Sequence, residues 1–195
     1  MSRKNGLFII MVLAVIMSAM TGCTKETKYS DYEKISLSAS WSYNYASVEE
    51  LSGSSDLIAV ISIKEAVADD DFSGVNVLMT KYTATVKELI YGDDSEEIQI
   101  VMTGGIDHKE KKIYEITDDP LMNEGDEFLI FAKKNKSGTY TILSGSQGRF
   151  IIENNKVYSL NIANGQVKNS NKYSNIVVDG TEKDRFLDTV IKSVE

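Results

Sequence analysis

The chain of 195 residues has one histidine, His108, and one cysteine, Cys23, which narrows its chemistry before any fold is considered. A general base needs an oriented partner and a pocket. His108 lies in Gly104-Gly105-Ile106-Asp107-His108-Lys109, loop-forming by composition, and reads as an exposed loop residue. A single cysteine makes no internal disulfide and no cysteine-based zinc site, and a Cys–His pair would require His108 to face Cys23. Ser144-Gly145-Ser146-Gln147-Gly148 is serine-rich, but its setting is strand–turn–strand, not the strand–turn–helix of a nucleophile elbow. No phosphate-binding loop and no His-Glu-x-x-His pattern occurs. The acidic runs Asp69–Asp71, Asp93-Asp94 with Glu96-Glu97, and Asp118-Asp119 offer the oxygen ligands that calcium prefers, but none has the spacing of a calcium loop. They read as solvated acidic turns. The expectation is a protein that is not an enzyme and holds no metal or cofactor.

Recognition is the chemistry that remains. Trp41, Tyr43 and Tyr45 alternate, so an extended segment would put all three rings on one face. Such a row can stack on sugars or peptides; the alternative is that it packs onto the domain it precedes. Arg149, in Gln147-Gly148-Arg149-Phe150, is the other ligand-binding candidate; its alternative is a salt bridge beside a turn or bulge. The formal charge is -8, and loss of the first 22 residues would remove two further cations, Arg3 and Lys4. An acidic surface repels phosphate backbones, which excludes nucleic acid as a natural partner. It also disfavours lying flat on anionic lipid, so membrane contact should come through an anchor.

The N-terminus supplies that anchor. Arg3 and Lys4 precede the apolar run Leu7–Met17, which as a helix spans roughly 17 Å at about 1.5 Å per residue. That is too short for a hydrocarbon core of about 30 Å, so residues 1–22 read as a signal peptide. The segment ends Met20-Thr21-Gly22-Cys23, which resembles the lipobox of bacterial lipoproteins. Gly22 and Cys23 match that pattern; Met20 stands where leucine is usual and Thr21 where alanine or serine is usual. The resemblance implies a diacylglyceryl thioether on Cys23, cleavage between Gly22 and Cys23, and a protein held on the outer face of the cell membrane. Two acyl chains anchor stably, since each buried methylene contributes about 0.8 kcal/mol.

Residues 23–40 read as the lipidated cysteine and a flexible tether, because Thr24 to Ser40 is polar without an apolar period. Seventeen such residues reach roughly 23 Å root-mean-square. Residues 41–195 form the single domain. Ser47 with Glu50 is a capping box that opens a helical turn. Leu57–Ile63 is apolar on both faces at its start, as in a buried strand. Tyr82, Ala84 and Val86 alternate with polar residues until Leu89 continues the apolar face one position late, which predicts a β-bulge at Glu88. Further strands are predicted at Ile98–Met102, Ile113–Ile116, Phe128–Ala132, Tyr140–Leu143, Phe150–Ile152 and Val157–Ile162, with turns at Asn154-Asn155 and Asn164-Gly165. Phe186, Leu187, Val190, Ile191 and Val194 recur at helical spacing, capped by Thr181 or Asp179.

This pattern predicts a mainly β domain: a small antiparallel OB-like barrel with extra hairpins and a C-terminal helix. The segments Ser55–Val60, Tyr82–Glu88 leading to Gly92, and Gly125–Phe131 are similar in order and spacing to netrin-like modules, OB-fold barrels that include the tissue inhibitors of metalloproteinases. The stretch from Gly138-Thr139-Tyr140 through Gln147-Gly148-Arg149-Phe150 to Lys156–Leu160 resembles a group of uncharacterised lipoproteins of Gram-positive bacteria. Those inhibitors insert an N-terminal cysteine into a zinc site. Here the one cysteine lies far from the barrel segments, so that mechanism does not carry over. What the resemblance implies is a non-enzymatic module that binds an envelope protein, peptide or glycan. The alternatives are an inhibitor or accessory subunit of an envelope enzyme, and an envelope hydrolase, for which no nucleophile–base pair can be named.

Overall fold

A computed structural model describes residues 29–69, 78–160 and 176–195. The chain divides into two units, residues 1–32 and a compact domain from Glu33 to Glu195. The domain opens with β1 (Glu33–Leu37), a short helix α1 (Val48–Gly53), β2 (Leu57–Asp69), β3 (Met79–Tyr91) and β4 (Glu97–Thr103). Next come β5 (Gly105–Asp107), β6 (Lys112–Ile116), β7 (Glu127–Lys134) and β8 (Tyr140–Ile142). A 3-10 turn (Gly145–Gly148), β9 (Arg149–Glu153), β10 (Lys156–Ser159), β11 (Asp179–Glu182) and α2 (Lys183–Lys192) complete it.

Five strands close on themselves in the order β7-β2-β3-β4-β8 and back to β7. The pairings are antiparallel except β4–β8, which is parallel and meets at Ile100↔Tyr140. Numbered within the ring, this is strand order 1-2-3-5-4-1, an OB-like barrel as expected. Closure is helped by the length and bending of β2 and β3. Val60 pairs with Glu88 and Ile61 with Val86, so Lys87 is the extra residue of a bulge. That is the phase slip visible in the sequence, placed one residue earlier.

The alternation of β7 shows how the ring is packed on both sides. Phe128, Ile130 and Ala132 point into the barrel with Leu57, Ile61, Tyr82, Ile98 and Ile100. Leu129 and Phe131 point out and join Ile58, Val60, Phe150, Val157, Phe186, Leu187 and Val190 in a second apolar core. The second core exists because β7 shares one edge between two strands. Ala132–Lys134 pair with β8, and Phe128–Ile130 pair with β9, from which β10 and β11 continue. Where the chain leaves that edge and returns, Leu143 N–H donates to Phe131 O at 2.9 Å. A Cβ on Gly148 would collide with Leu143 O and lie 2.9 Å from Phe131 O, so the return requires glycine.

Several expectations need correction. The stretch read as a tether to Ser40 contains β1, paired in parallel with β6 from Glu33↔Lys112 to Leu37↔Ile116. Ser47 caps α1, accepting from Glu50 N–H at 3.3 Å, but the Glu50 carboxylate reaches Ala46 N–H at 2.7 Å instead of closing a reciprocal box on Ser47. Helix α2 begins after Glu182 with no side-chain cap, because Asp179 and Thr181 belong to β11. Ile191 is 38% exposed and lies off the apolar stripe. Asn154 and Asn155 both take positive φ, the signature of a type I′ hairpin turn. The turn at Asn164-Gly165 lies outside the described residues, as do Gly22 and Cys23.

Candidate binding groove

Arg149 opens β9 on the inward-facing phase, with Ile151 after it against the barrel interior and Phe150 and Ile152 facing outward. That register carries a guanidinium into an apolar core, where an unpaired charge is prohibitively costly. The group is 1% exposed. Its Nη2 donates at 2.7 Å to Asp119 Oδ1 and at 2.7 Å to the Pro120 carbonyl. Nη1 approaches Met102 Sδ at 3.9 Å, and the guanidinium carbon lies 5.1 Å from the Phe128 ring centroid. Nε is buried with no hydrogen-bond partner among the described residues. Asp119 is 4% exposed and is held in a turn by its N–H bond to Ile116 O at 3.0 Å. Burial holds its carboxyl above the ordinary aspartate value, and Arg149 opposes that rise without cancelling it. Nearby, the Tyr82 hydroxyl accepts from Met122 N–H at 3.2 Å, and burial pushes its pKa up to about 12.

The aromatic segment does not present a single row of rings. Tyr43 is 51% exposed, Tyr45 is 6% exposed, and Trp41 is half-buried. A bend at Ser42 interrupts the extended geometry that would have aligned them. The Tyr43 and Tyr45 rings touch at 4.7 Å between centroids, and the Tyr43 hydroxyl bonds the Glu50 carboxylate. Two side chains clamp the backbone of this segment. Gln147 Oε1 accepts from Tyr45 N–H at 3.1 Å while its Nε2 donates to Asn44 Oδ1 at 2.6 Å. Ser144 Oγ donates to Tyr43 O at 2.7 Å. Clamped in this way, the segment lays Trp41 over the 3-10 turn. A Cβ on Gly145 would strike Trp41 Cζ2 and lie 2.9 Å from Asp119 Oδ2, so the indole edge, the glycine and the carboxylate converge at one point.

That point is one wall of a groove of about 340 Å³ bounded by Trp41, Val101, Ile116, Asp119, Asn135 and Thr141, with Met102 and Ile142 of the barrel core also lining it. Its size is at the lower end of small-ligand sites. Along one rim Asn135 Nδ2 donates to Thr139 Oγ1 and Thr141 Oγ1, both at 3.0 Å, and Ser137 Oγ lies 3.0 Å from Thr139 Oγ1. Lys136 also lines it. Asp119 Oδ1 is taken by Arg149, whereas no hydrogen bond among the described residues reaches Oδ2. The groove therefore offers an aromatic surface, an acceptor with open lone pairs and a row of hydroxyls that both donate and accept.

Of the four residues singled out as binding candidates, Trp41 lines the groove and Arg149 lies behind it through Asp119, while Tyr43 and Tyr45 do not line it. Asp119, read from the sequence as part of a solvated acidic turn, is instead buried; its position directly before the one proline of the chain was the available signal. Nothing in the sequence separates Asn135 and Lys136 from ordinary turn residues. In the run at Asp93-Asp94 with Glu96-Glu97 the acids are surface groups, Asp93 paired with Lys134 and Glu97 with Lys64 at 2.7 Å, whereas Asp70 and Asp71 lie outside the described residues. His108 is exposed in the β5–β6 turn. No family model and no curated protein matches the chain.

Proposed function

We propose that this chain is an extracytoplasmic lipoprotein, anchored by lipid on Cys23, whose OB-like barrel is a non-enzymatic binding module that engages an envelope component in the groove beneath Trp41. Anchoring is supported by Arg3, Lys4, the short apolar run and Gly22-Cys23. The observation that carries the binding role is the open Oδ2 of Asp119, a carboxylate oxygen facing a ligand-sized groove with no protein partner among the described residues. A carboxylate oxygen that no protein donor reaches is left for water or a ligand to satisfy. A binding role also agrees with the state of that carboxylate, since its charge is committed to Arg149 at 2.7 Å and not to proton transfer.

Two measurements test the two halves. Cys23→Ala should shift the protein from the membrane fraction to the medium or leave it unprocessed; intact membrane-bound protein without lipid by mass spectrometry would count against anchoring. The purified lipoprotein in detergent should co-sediment with isolated cell-wall or membrane material, and Trp41→Ala should weaken that by tenfold or more. Unchanged co-sedimentation of the variant would remove the groove from the binding role.

A further inference from the structure

We infer that the ligand of this groove is a neutral saccharide, with one sugar ring against the Trp41 indole and a ring hydroxyl donating to Asp119 Oδ2. The inference rests on the binding-module reading and names the ligand class of the same site. Three features select it.

The first is geometry. The Cζ2 and Cη2 atoms of Trp41 crowd Gly145, and Asp119 Oδ2 lies beside the same point. A pyranose has C–H groups on its faces and hydroxyls around its rim. Stacked on the indole, it places a rim hydroxyl where an acceptor close to the indole can receive it.

The second is charge. Asp119 is already neutralised by Arg149, so an ammonium or guanidinium placed on Oδ2 would stand close to a buried guanidinium that cannot move or lose its proton. A hydroxyl brings a donor without a charge. An anionic ligand would set a second negative group against Oδ2, and Lys136 is the lone full cation lining the groove among the described residues.

The third is the rim. Asn135, Ser137, Thr139 and Thr141 hold one another in a hydrogen-bonded row. Each hydroxyl in it keeps lone-pair capacity for a ligand hydroxyl. Groups already fixed by one another lose little freedom on binding, which favours a neutral, hydroxyl-rich ligand.

Trp41 is the one tryptophan of the chain, so its emission reports this site alone. The intact lipoprotein in detergent should be titrated with tetrasaccharides of β-1,4-linked N-acetylglucosamine and of β-1,4-linked glucose. A lysine-rich and a glutamate-rich peptide serve as the charged probes. A saturable change in emission with at least one tetrasaccharide, and none with either peptide, is expected. Gly145→Ala should weaken that binding tenfold or more by displacing the indole. Thr141→Val, on an exposed rim and safe for folding, should weaken it several-fold with an unchanged far-ultraviolet spectrum. Silence of both tetrasaccharides, or saturation by either peptide, overturns the saccharide assignment. If the tetrasaccharides are silent while Trp41→Ala still abolishes envelope co-sedimentation, the ligand class is wrong and the groove stands. If co-sedimentation ignores Trp41 as well, the groove itself is wrong.

Discussion

Asp119 and Arg149 illustrate how much a single pair can govern in this barrel. Together they are a neutral unit in a nearly dry site, and separately each is a buried charge. Arg149→Met leaves the Asp119 carboxylate stranded and should cost about 3–5 kcal/mol in a denaturant melt, whereas replacing both residues with apolar ones should recover most of that loss. A double variant no more stable than the single one would mean that the pair contributes more than mutual neutralisation. Tyr82 makes a pH prediction. Its pKa is raised in the folded state from 10.0 to about 12. The stability it contributes is therefore complete below about pH 10 and is lost as the pH climbs towards 12. A shift of that size corresponds to about 3 kcal/mol at most. Tyr82→Phe removes this group and should flatten the decline of unfolding free energy between pH 9 and 11.5, relative to the parent protein. Parallel pH curves for the two proteins would show that Tyr82 ionises freely in the fold.

Strand β7 is the element on which the architecture turns, because its two faces feed two cores and its outer edge feeds two strands. Phe128→Ala and Phe186→Ala each open a cavity in a packed site and should cost roughly 3–5 kcal/mol. The barrel side should lose more, since Phe128 also lies under the Arg149 guanidinium at 5.1 Å. Such a contact adds about 2 kcal/mol when desolvated. Equal losses in urea would show the cation–π contact to be energetically silent. The β8-to-β9 switch is equally sharp. Gly148→Ala sets a Cβ against two backbone carbonyls that cannot move without breaking the edge of β7. A loss of more than about 2 kcal/mol is expected, in the range of strained or clashing core substitutions, and thermal melting checks it.

At the scale of the whole domain, two apolar cores on either side of β2 and β7 must carry stability without a disulfide, since the one cysteine is Cys23. A domain of this length buries enough surface to do so. A fragment from Glu33 to Glu195 should therefore fold alone, with a melting temperature unmoved by EDTA. A fall of several degrees with EDTA would place a structural cation on one of the acidic turns. Starting the fragment at Trp41 instead removes β1 and leaves β6 without its parallel neighbour, so that shorter fragment should melt lower.

The mainly β class, the barrel strands, the Phe128 and Tyr82 phases and the apolar stripe of α2 were legible in the sequence, because periodicity records which side of an element is dry. The bulge near Glu88 was legible for the same reason: a slip in period is a slip in pleat. What the sequence could not reveal depends on chain segments meeting across long separations. The parallel join of β1 to β6 was hidden because β1 is short and largely polar, so pairing and not apolar pattern defines it. Ring closure rests on one parallel pairing, Ile100↔Tyr140, between residues with no local sign of attraction. The groove depends on a bend at Ser42, a glycine at 145 and a carboxylate at 119 arriving at one point. Local propensity determines what each segment can be; only tertiary packing determines that Asp119, which looks solvated beside Asp118, is buried with Arg149 on one oxygen and no hydrogen bond from the described residues on the other.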